Sequence, residues 1–94
     1  MIAYMLSLII KCLTNLQEMT KIKDTAFLIR FGKNLRKIRE DKGMSMRALA
    51  DYSNVEYSQI SRIEKGQINT TISTVKALSK ALQTSCYKLF EFDN

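Results

Sequence analysis

Apolar residues recur at three- and four-residue spacing through most of this chain, which is the period of an amphipathic α-helix. From Asp24 onward, this pattern divides into five segments separated by short breaks rich in Gly, Asn, Ser and Thr. No segment alternates apolar and polar positions for long, so a β-sheet is not expected. The pattern therefore predicts an all-α domain of five helices.

Capping residues and turn residues mark the first two helices. Asp24 is placed to cap the first helix, which Gly43 ends. Gly32 lies inside this helix, where glycine costs about 1 kcal/mol relative to alanine. Ser45 is placed to cap the second helix, which ends near Asn54 because asparagine tolerates a left-handed backbone. The apolar positions are Phe27, Leu28, Phe31, Leu35 and Ile38 in the first helix, then Met46, Leu49 and Ala50 in the second.

Three shorter helices follow. The stretch 56–66, EYSQISRIEKG, predicts a helix with a glycine stop, and its apolar residues Ile60 and Ile63 face inward. Thr71 and Ser85 are placed to cap the last two helices. The apolar positions assigned to these two helices are Ile72, Val75, Leu78 and Leu82, then Cys86, Leu89 and Phe90.

The outer arc of the third helix has an unusual composition. At 100° per residue, Tyr57, Ser58, Ser61 and Arg62 fall opposite the two isoleucines. A solvated helix face more often carries Lys and Glu. The link from the second helix is only about four residues long, so the two helices cross steeply as a helix-turn-helix. Such a pair leaves the outer face of its second helix protruding, and an α-helix fits the major groove of B-DNA.

Residues 1–23 differ from the domain assigned to 24–94. Their apolar residues repeat at helical spacing, but Lys11 ends the apolar run long before the ~18–20 residues of a membrane span. Four interpretations stay open: a partner-binding helix, a dimer element, a membrane-surface helix, or sequence upstream of a true start at Met19. The sparse basic residues argue against an anionic membrane. The repeating apolar positions are Ile2, Met5, Leu6, Ile9, Leu13 and Leu16.

The composition indicates a basic protein and argues against most kinds of enzyme. The 94 residues carry a formal net charge of +6, which favours a polyanionic partner such as nucleic acid. With no histidine, the chain lacks the commonest general base and metal ligand. Cys12 and Cys86 have no CxxC spacing and are interpreted as reduced thiols of a cytoplasmic protein, with a disulfide as the alternative. We therefore expect no catalytic site, metal or cofactor.

The stretch SMRALADYSNVEYSQISRIEKGQINTTISTVKALSKAL resembles the phage-repressor (Cro/repressor, XRE-type) helix-turn-helix family. The likeness runs from Phe31 to Phe90, and its most specific parts are ISRIEKG at 60–66 and LSKAL followed by S..KLF. The resemblance implies a five-helix, lambda-repressor-like domain that binds double-stranded DNA. It further implies a transcriptional regulator, typically a repressor, that binds a partly palindromic operator as a homodimer with the third helix in the major groove.

Carried onto this chain, the resemblance also implies which residues contact DNA. Arg62 is the best candidate for a bidentate contact to guanine. Two positions depart from the family: Met46 stands where Gln is frequent, and Glu56 stands where Ser or Thr usually caps the third helix. The base-facing residues are Tyr57, Ser58, Gln59, Ser61 and Arg62. The phosphate-contacting residues are Ser45, Met46, Arg47, Lys65, Gln67, Asn69 and Thr70.

Glu64 lies in the last turn of the third helix, where a carboxylate opposes the helix dipole and favours a nearby cation. The resemblance implies that this cation is Arg39, in a structural ion pair. Two other functions stay open beside the regulator. One is an antitoxin that binds DNA and also a toxin through the segment before Met19; the other is a protein-interaction module without DNA binding.

Overall fold

The computed structural model describes residues 22–93, which form five α-helices and, within that range, no β-strand. The all-α prediction is confirmed. No helix among these residues is long and apolar enough to cross a membrane. The interpretations of residues 1–21, Cys12 included, concern residues outside the described range. The helices are α1 (Thr25–Asp41), α2 (Met46–Ser53), α3 (Tyr57–Glu64), α4 (Ile72–Ala81) and α5 (Cys86–Leu89).

Side chains cap three of the five helices at their N-termini, as predicted. Each cap accepts a hydrogen bond from a backbone N–H that has no partner inside the helix. Ser85 precedes α5 but makes no side-chain cap hydrogen bond, so its predicted capping role was wrong. The three capping bonds run from Phe27 to Asp24 at 3.0 Å, from Ala48 to Ser45 at 3.0 Å and from Thr74 to Thr71 at 3.2 Å.

Left-handed residues follow α1, α2 and α3. Gly43, Asn54 and Gly66 have φ angles of 71°, 62° and 71°. Only glycine adopts this backbone without steric penalty, and asparagine tolerates it best among the other residues. The chain therefore turns sharply after each of these three helices, where the sequence predicted a break.

A single apolar core lies between the helices. α1 packs against α3 and α5, while α2 packs against α3 and α4. Arg39, Ser53 and Ser79 are the buried polar residues of the described chain. The buried apolar residues are Phe31, Leu35, Leu49, Ile60, Ile63, Val75, Leu78, Leu82 and Leu89.

Three predicted apolar positions are exposed instead of buried. Ile72 is 89% exposed because it is the first residue of α4, and no other described element covers that end. Phe90 follows the last residue of α5 and is 45% exposed, although its ring lies 5.0 Å from that of Phe31, centroid to centroid. Cys86 is also exposed. The periodicity was correct, but the ends of these short helices extend beyond their neighbours.

Gly32 allows α1 and α3 to approach each other closely. A Cβ atom at this position would overlap the carbonyl oxygens of both Ile63 and Glu64. A real Cβ never comes so near to backbone oxygen, so any larger residue would push the two helices apart. The glycine that costs helix propensity therefore fixes the position of α3 against α1.

Candidate nucleic-acid interface

The face of α3 opposite the core combines exposed and half-buried side chains. Ile60 and Ile63 are 0% and 2% exposed and hold the helix against the core. On the other side, Tyr57, Ser58 and Arg62 are exposed. The two remaining predicted base-facing residues, Gln59 and Ser61, are half-buried at the edges of this face. Three of the five predicted side chains are thus freely accessible.

Arg47 and Tyr57 link the start of α2 to the start of α3. The guanidinium carbon of Arg47 lies 5.0 Å from the centroid of the Tyr57 ring, which is within cation–π distance. Sequence reasoning assigned one residue to phosphate and the other to a base without pairing them. The only signal for the contact is that each residue lies in the first two positions of its helix.

Glu56 begins α3 without capping it. Its backbone is extended, with φ −62° and ψ 143°, and its side chain makes no cap hydrogen bond. The carboxylate therefore leaves the first N–H groups of α3 without a side-chain acceptor. Glu56 lines an open hollow together with Arg47, Asp51 and Tyr57. A negative charge thus stands at the end of the helix where an anionic ligand would approach.

The N-terminus of α2 has the geometry of an anion site. Ser45 accepts the N–H of Ala48, while the first N–H groups of a helix, here those of Met46 and Arg47, have no partner within it. The Met46 side chain is half-buried and packs against the core, so a contact from this residue would come from its backbone. Arg47 is exposed.

A cleft of about 170 Å³ lies between α1, α2 and the end of α3. Arg36, Met46, Ser61 and Lys65 line it together with the Arg39–Glu64 pair. Arg36 was not predicted as a site residue. Its guanidinium contacts Glu40 one turn later at 3.1 Å, which is an ordinary i,i+4 surface pair, so the sequence pattern gave no reason to single it out.

The loop after α3 contains the remaining predicted phosphate contacts. Lys65, Gln67 and Asn69 are exposed, and the carbonyl of Gln67 accepts a hydrogen bond from Lys23 Nζ at 2.9 Å. The hydroxyl of Thr70, in contrast, is buried and has no hydrogen-bond partner among the described residues. This burial argues against a phosphate contact from the Thr70 side chain. The sequence could not reveal it, because the burial of a loop hydroxyl depends on tertiary packing.

Arg39 and Glu64 form a bidentate ion pair between α1 and α3. Arg39 Nε donates to Glu64 Oε2 at 2.7 Å and Arg39 Nη2 donates to Oε1 at 3.0 Å. Arg39 Nη1 also donates to the carbonyl of Met44 at 2.8 Å. The hydrogen bond to Glu64 raises the pKa of Arg39 above its ordinary value, although burial opposes this shift. We interpret the pair as structural, because the guanidinium and the carboxylate bond to each other and both side chains are nearly buried.

The acidic and thiol side chains of residues 22–93 are dispersed over the domain. No three Asp, Glu, Cys or His side chains come together there as a metal site. The described acids are mostly single surface charges or belong to the ion pairs named above.

Residues 35–89 match the family model described as Helix-turn-helix (HTH_3). The chain is similar to the HTH-type transcriptional regulator PuuR of Escherichia coli, with 37% identity over 59 residues that cover 63% of this chain and 32% of that protein. It is also similar to Control protein C.SmaI of Serratia marcescens, with 38% identity covering 60% of this chain and 67% of the relative.

A solved structure gives the same fold. The restriction-modification controller protein C.AhdI from Aeromonas hydrophila superposes with a TM-score of 0.68 at 35% sequence identity. The match covers 69% of this chain and 98% of that structure. By contrast, this chain spans only about a third of the length of PuuR.

Proposed function

This chain belongs to the phage-repressor (XRE) type of the helix-turn-helix family, and on that premise we propose that it is a sequence-specific, DNA-binding transcriptional regulator. The observation that carries the proposal is the outward face of α3. This face presents Tyr57, Ser58 and Arg62 to solvent on a helix held rigidly from behind by Ile60 and Ile63. A protruding helix of this kind fits the major groove of B-DNA, where base edges are read directly.

Arg62 is the residue that reads sequence most strongly in this proposal. Its guanidinium fits guanine O6 and N7 in a bidentate manner, which discriminates against other bases by about 1–3 kcal/mol. Tyr57 contacts a thymine methyl or a phosphate, oriented by its contact with Arg47. Ser58 and Ser61 accept or donate to several bases and so specify little, while Gln59 contributes at the flank.

Phosphate contacts position the domain on the duplex. On one side of α3 they come from Ser45, the backbone of Met46 and the Arg47 side chain. On the other side they come from Lys65, Gln67 and Asn69. The formal charge of +6 supports this electrostatic role, and the affinity should fall steeply as salt is raised.

We infer that the protein acts as a homodimer on a partly palindromic operator. One recognition helix contacts only a few base pairs, and two-fold repetition of the half-site restores specificity. Residues 24–94 form the DNA-binding domain in this proposal. In this proposal the protein functions in the cytoplasm and acts by binding instead of catalysis, which its similarity to a regulator and to a control protein supports.

Selection of duplexes from a random pool, followed by anisotropy titration of the full chain, tests this function. The expected result is a selected duplex with inverted half-sites that binds at least a hundredfold more tightly than random DNA. A protein that binds the selected and random duplexes equally would refute sequence-specific binding. Analytical ultracentrifugation of the complex then tests two chains per duplex.

A further inference from the structure

An apolar groove lies away from the outward face of α3. It has a volume of about 120 Å³ and is open to solvent on one side. No residue of the outward face of α3 contributes to it, so an occupant would leave that face free, and only Asn69 is shared with the proposed phosphate contacts. The groove is lined by Phe27, Leu28, Phe31, Ile72, Val75 and Phe90, with Asn69 and Thr70 at its edge.

The groove leaves apolar surface uncovered. Ile72 is 89% exposed and Phe90 is 45% exposed, so the described residues cover little of Ile72 and leave almost half of Phe90 open to solvent. Thr70 contributes a buried hydroxyl without a partner among those residues. Exposed contiguous apolar surface of this kind usually marks a contact with another segment or chain.

The beginning of the described chain is fixed at the edge of this groove. Asn69 Nδ2 donates to the carbonyl of Ile22 at 3.0 Å, and Lys23 Nζ donates to the carbonyl of Gln67 at 2.9 Å. Since Asn69 itself lines the groove, the preceding residues start beside it. From Ile22, the six residues back to Leu16 span at most about 20 Å.

We propose that the chain's own N-terminal segment, residues 2–16, lies across this groove with its apolar side facing Ile72 and Phe90. The apolar residues of that segment repeat at three- and four-residue spacing, from Ile2 to Leu16, as a helix that covers an apolar surface requires. The tether at Ile22 gives the segment an effective concentration on the order of millimolar at the groove, which favours it over a free partner.

Serine substitutions in the full chain test the proposal through thermal unfolding. Ile9→Ser removes an apolar side chain from the segment, and Ile72→Ser removes one from the groove. Each should lower Tm by about 4–8 °C, a shift expected for a small domain. Because both changes remove the same contact, the double variant should unfold no more than a few degrees below either single variant.

Tyr52→Ser is the matched control, since Tyr52 is 73% exposed on α2 and does not line the groove. It should leave Tm unchanged and should add nothing to Ile9→Ser. Unchanged Tm in Ile9→Ser, or fully additive losses in the double variant, would overturn the proposal. A gap in Tm between wild type and Ile9→Ser that widens with protein concentration would place a second copy in the groove, which also overturns it.

Discussion

Arg39 on α1 holds Glu64 on α3 in a bidentate ion pair whose two side chains are only 10% and 6% exposed. The same pair of helices meets at Gly32, where α1 touches the carbonyls of Ile63 and Glu64. Two independent contacts therefore fix the end of α3 against the body of the domain. In the proposed DNA complex, a helix fixed in this way would present its outward face already in place, which lowers the entropic cost of binding.

Breaking the Arg39–Glu64 pair should destabilise the fold. Glu64→Gln or Arg39→Met leaves a nearly buried charge without its partner, and the expected loss is about 3 kcal/mol. A double-mutant cycle in urea at neutral pH should show strong coupling. The exposed Arg36–Glu40 pair, 64% and 54% exposed, is the control, and its coupling should be below about 0.5 kcal/mol. Equal coupling in both pairs would contradict this view of Arg39.

The pH dependence of that ion pair follows from the direction of its pKa shift. The pKa of Arg39 is raised in the folded state, so the pair's contribution is present below the unfolded-state pKa and is lost only as pH rises through the folded-state value. Both values lie far above neutrality. The coupling energy from the cycle should therefore not change between neutral and mildly alkaline pH, as measured by urea unfolding at several pH values.

Gly32→Ala should destabilise the domain, although helix propensity alone predicts a gain of about 1 kcal/mol. The new Cβ would overlap two backbone carbonyls, and overpacking of this kind costs about 1–3 kcal/mol. Gly43→Ala is the comparison, because nothing lies within 4 Å of a Cβ there and only its φ of 71° opposes the change. If urea unfolding finds Gly32→Ala more stable than wild type, the close approach of α1 and α3 is wrong.

The sequence alone predicted most of the features set by neighbouring residues, with the side-chain cap at Ser85 as the exception. The caps at Asp24, Ser45 and Thr71 and the turn at Asn54 each depend on a few adjacent positions, and all four are present. In contrast, the contact of Gly32 with α3 depends on how the helices pack together, and helix periodicity does not predict that packing. Helix propensity indicated only that Gly32 destabilises α1 relative to alanine.

In the candidate site, too, the sequence predicted what helix spacing determines and missed what tertiary packing determines. The periodicity identified the outward face of α3, because residues on one side of a helix are set by spacing alone. It did not reveal that Thr70 turns its hydroxyl into the protein or that Arg47 stacks on Tyr57. It also counted Ile72 as core, although α4 begins beyond the elements that pack on it. The partner of Glu64 came from the family resemblance, since 25 residues separate it from Arg39.

Arg62 and Lys65 should affect DNA binding differently. Arg62→Ala should cost about 1–3 kcal/mol on the selected operator and relax the preference at one base pair. Lys65→Ala should weaken all duplexes similarly and reduce the slope of log K against log salt by about 0.9. Lys80→Ala, an exposed lysine on α4, controls for the loss of one charge. Anisotropy titrations on operator variants at several salt concentrations measure both effects, and identical profiles for the two variants would refute the assignment.

Glu56→Ser should increase both the stability of the domain and its affinity for DNA. Serine would cap the free N–H groups of α3, which glutamate does not, and such a cap is worth about 1 kcal/mol. Removing the carboxylate also relieves its repulsion from phosphates near Arg47 and Tyr57, so the affinity should rise most at low salt.

Glu91→Ser is the matched control for Glu56→Ser, because it removes one exposed acid that follows α5 and does not line the hollow at the start of α3. Its affinity gain should be clearly smaller, since repulsion between exposed charges fades beyond a Debye length of about 10 Å. If Glu56→Ser changes neither the affinity nor the selected operator, the start of α3 does not face the phosphates. If it lowers the affinity, the carboxylate itself contacts a base, as glutamate does with the N4 amine of cytosine.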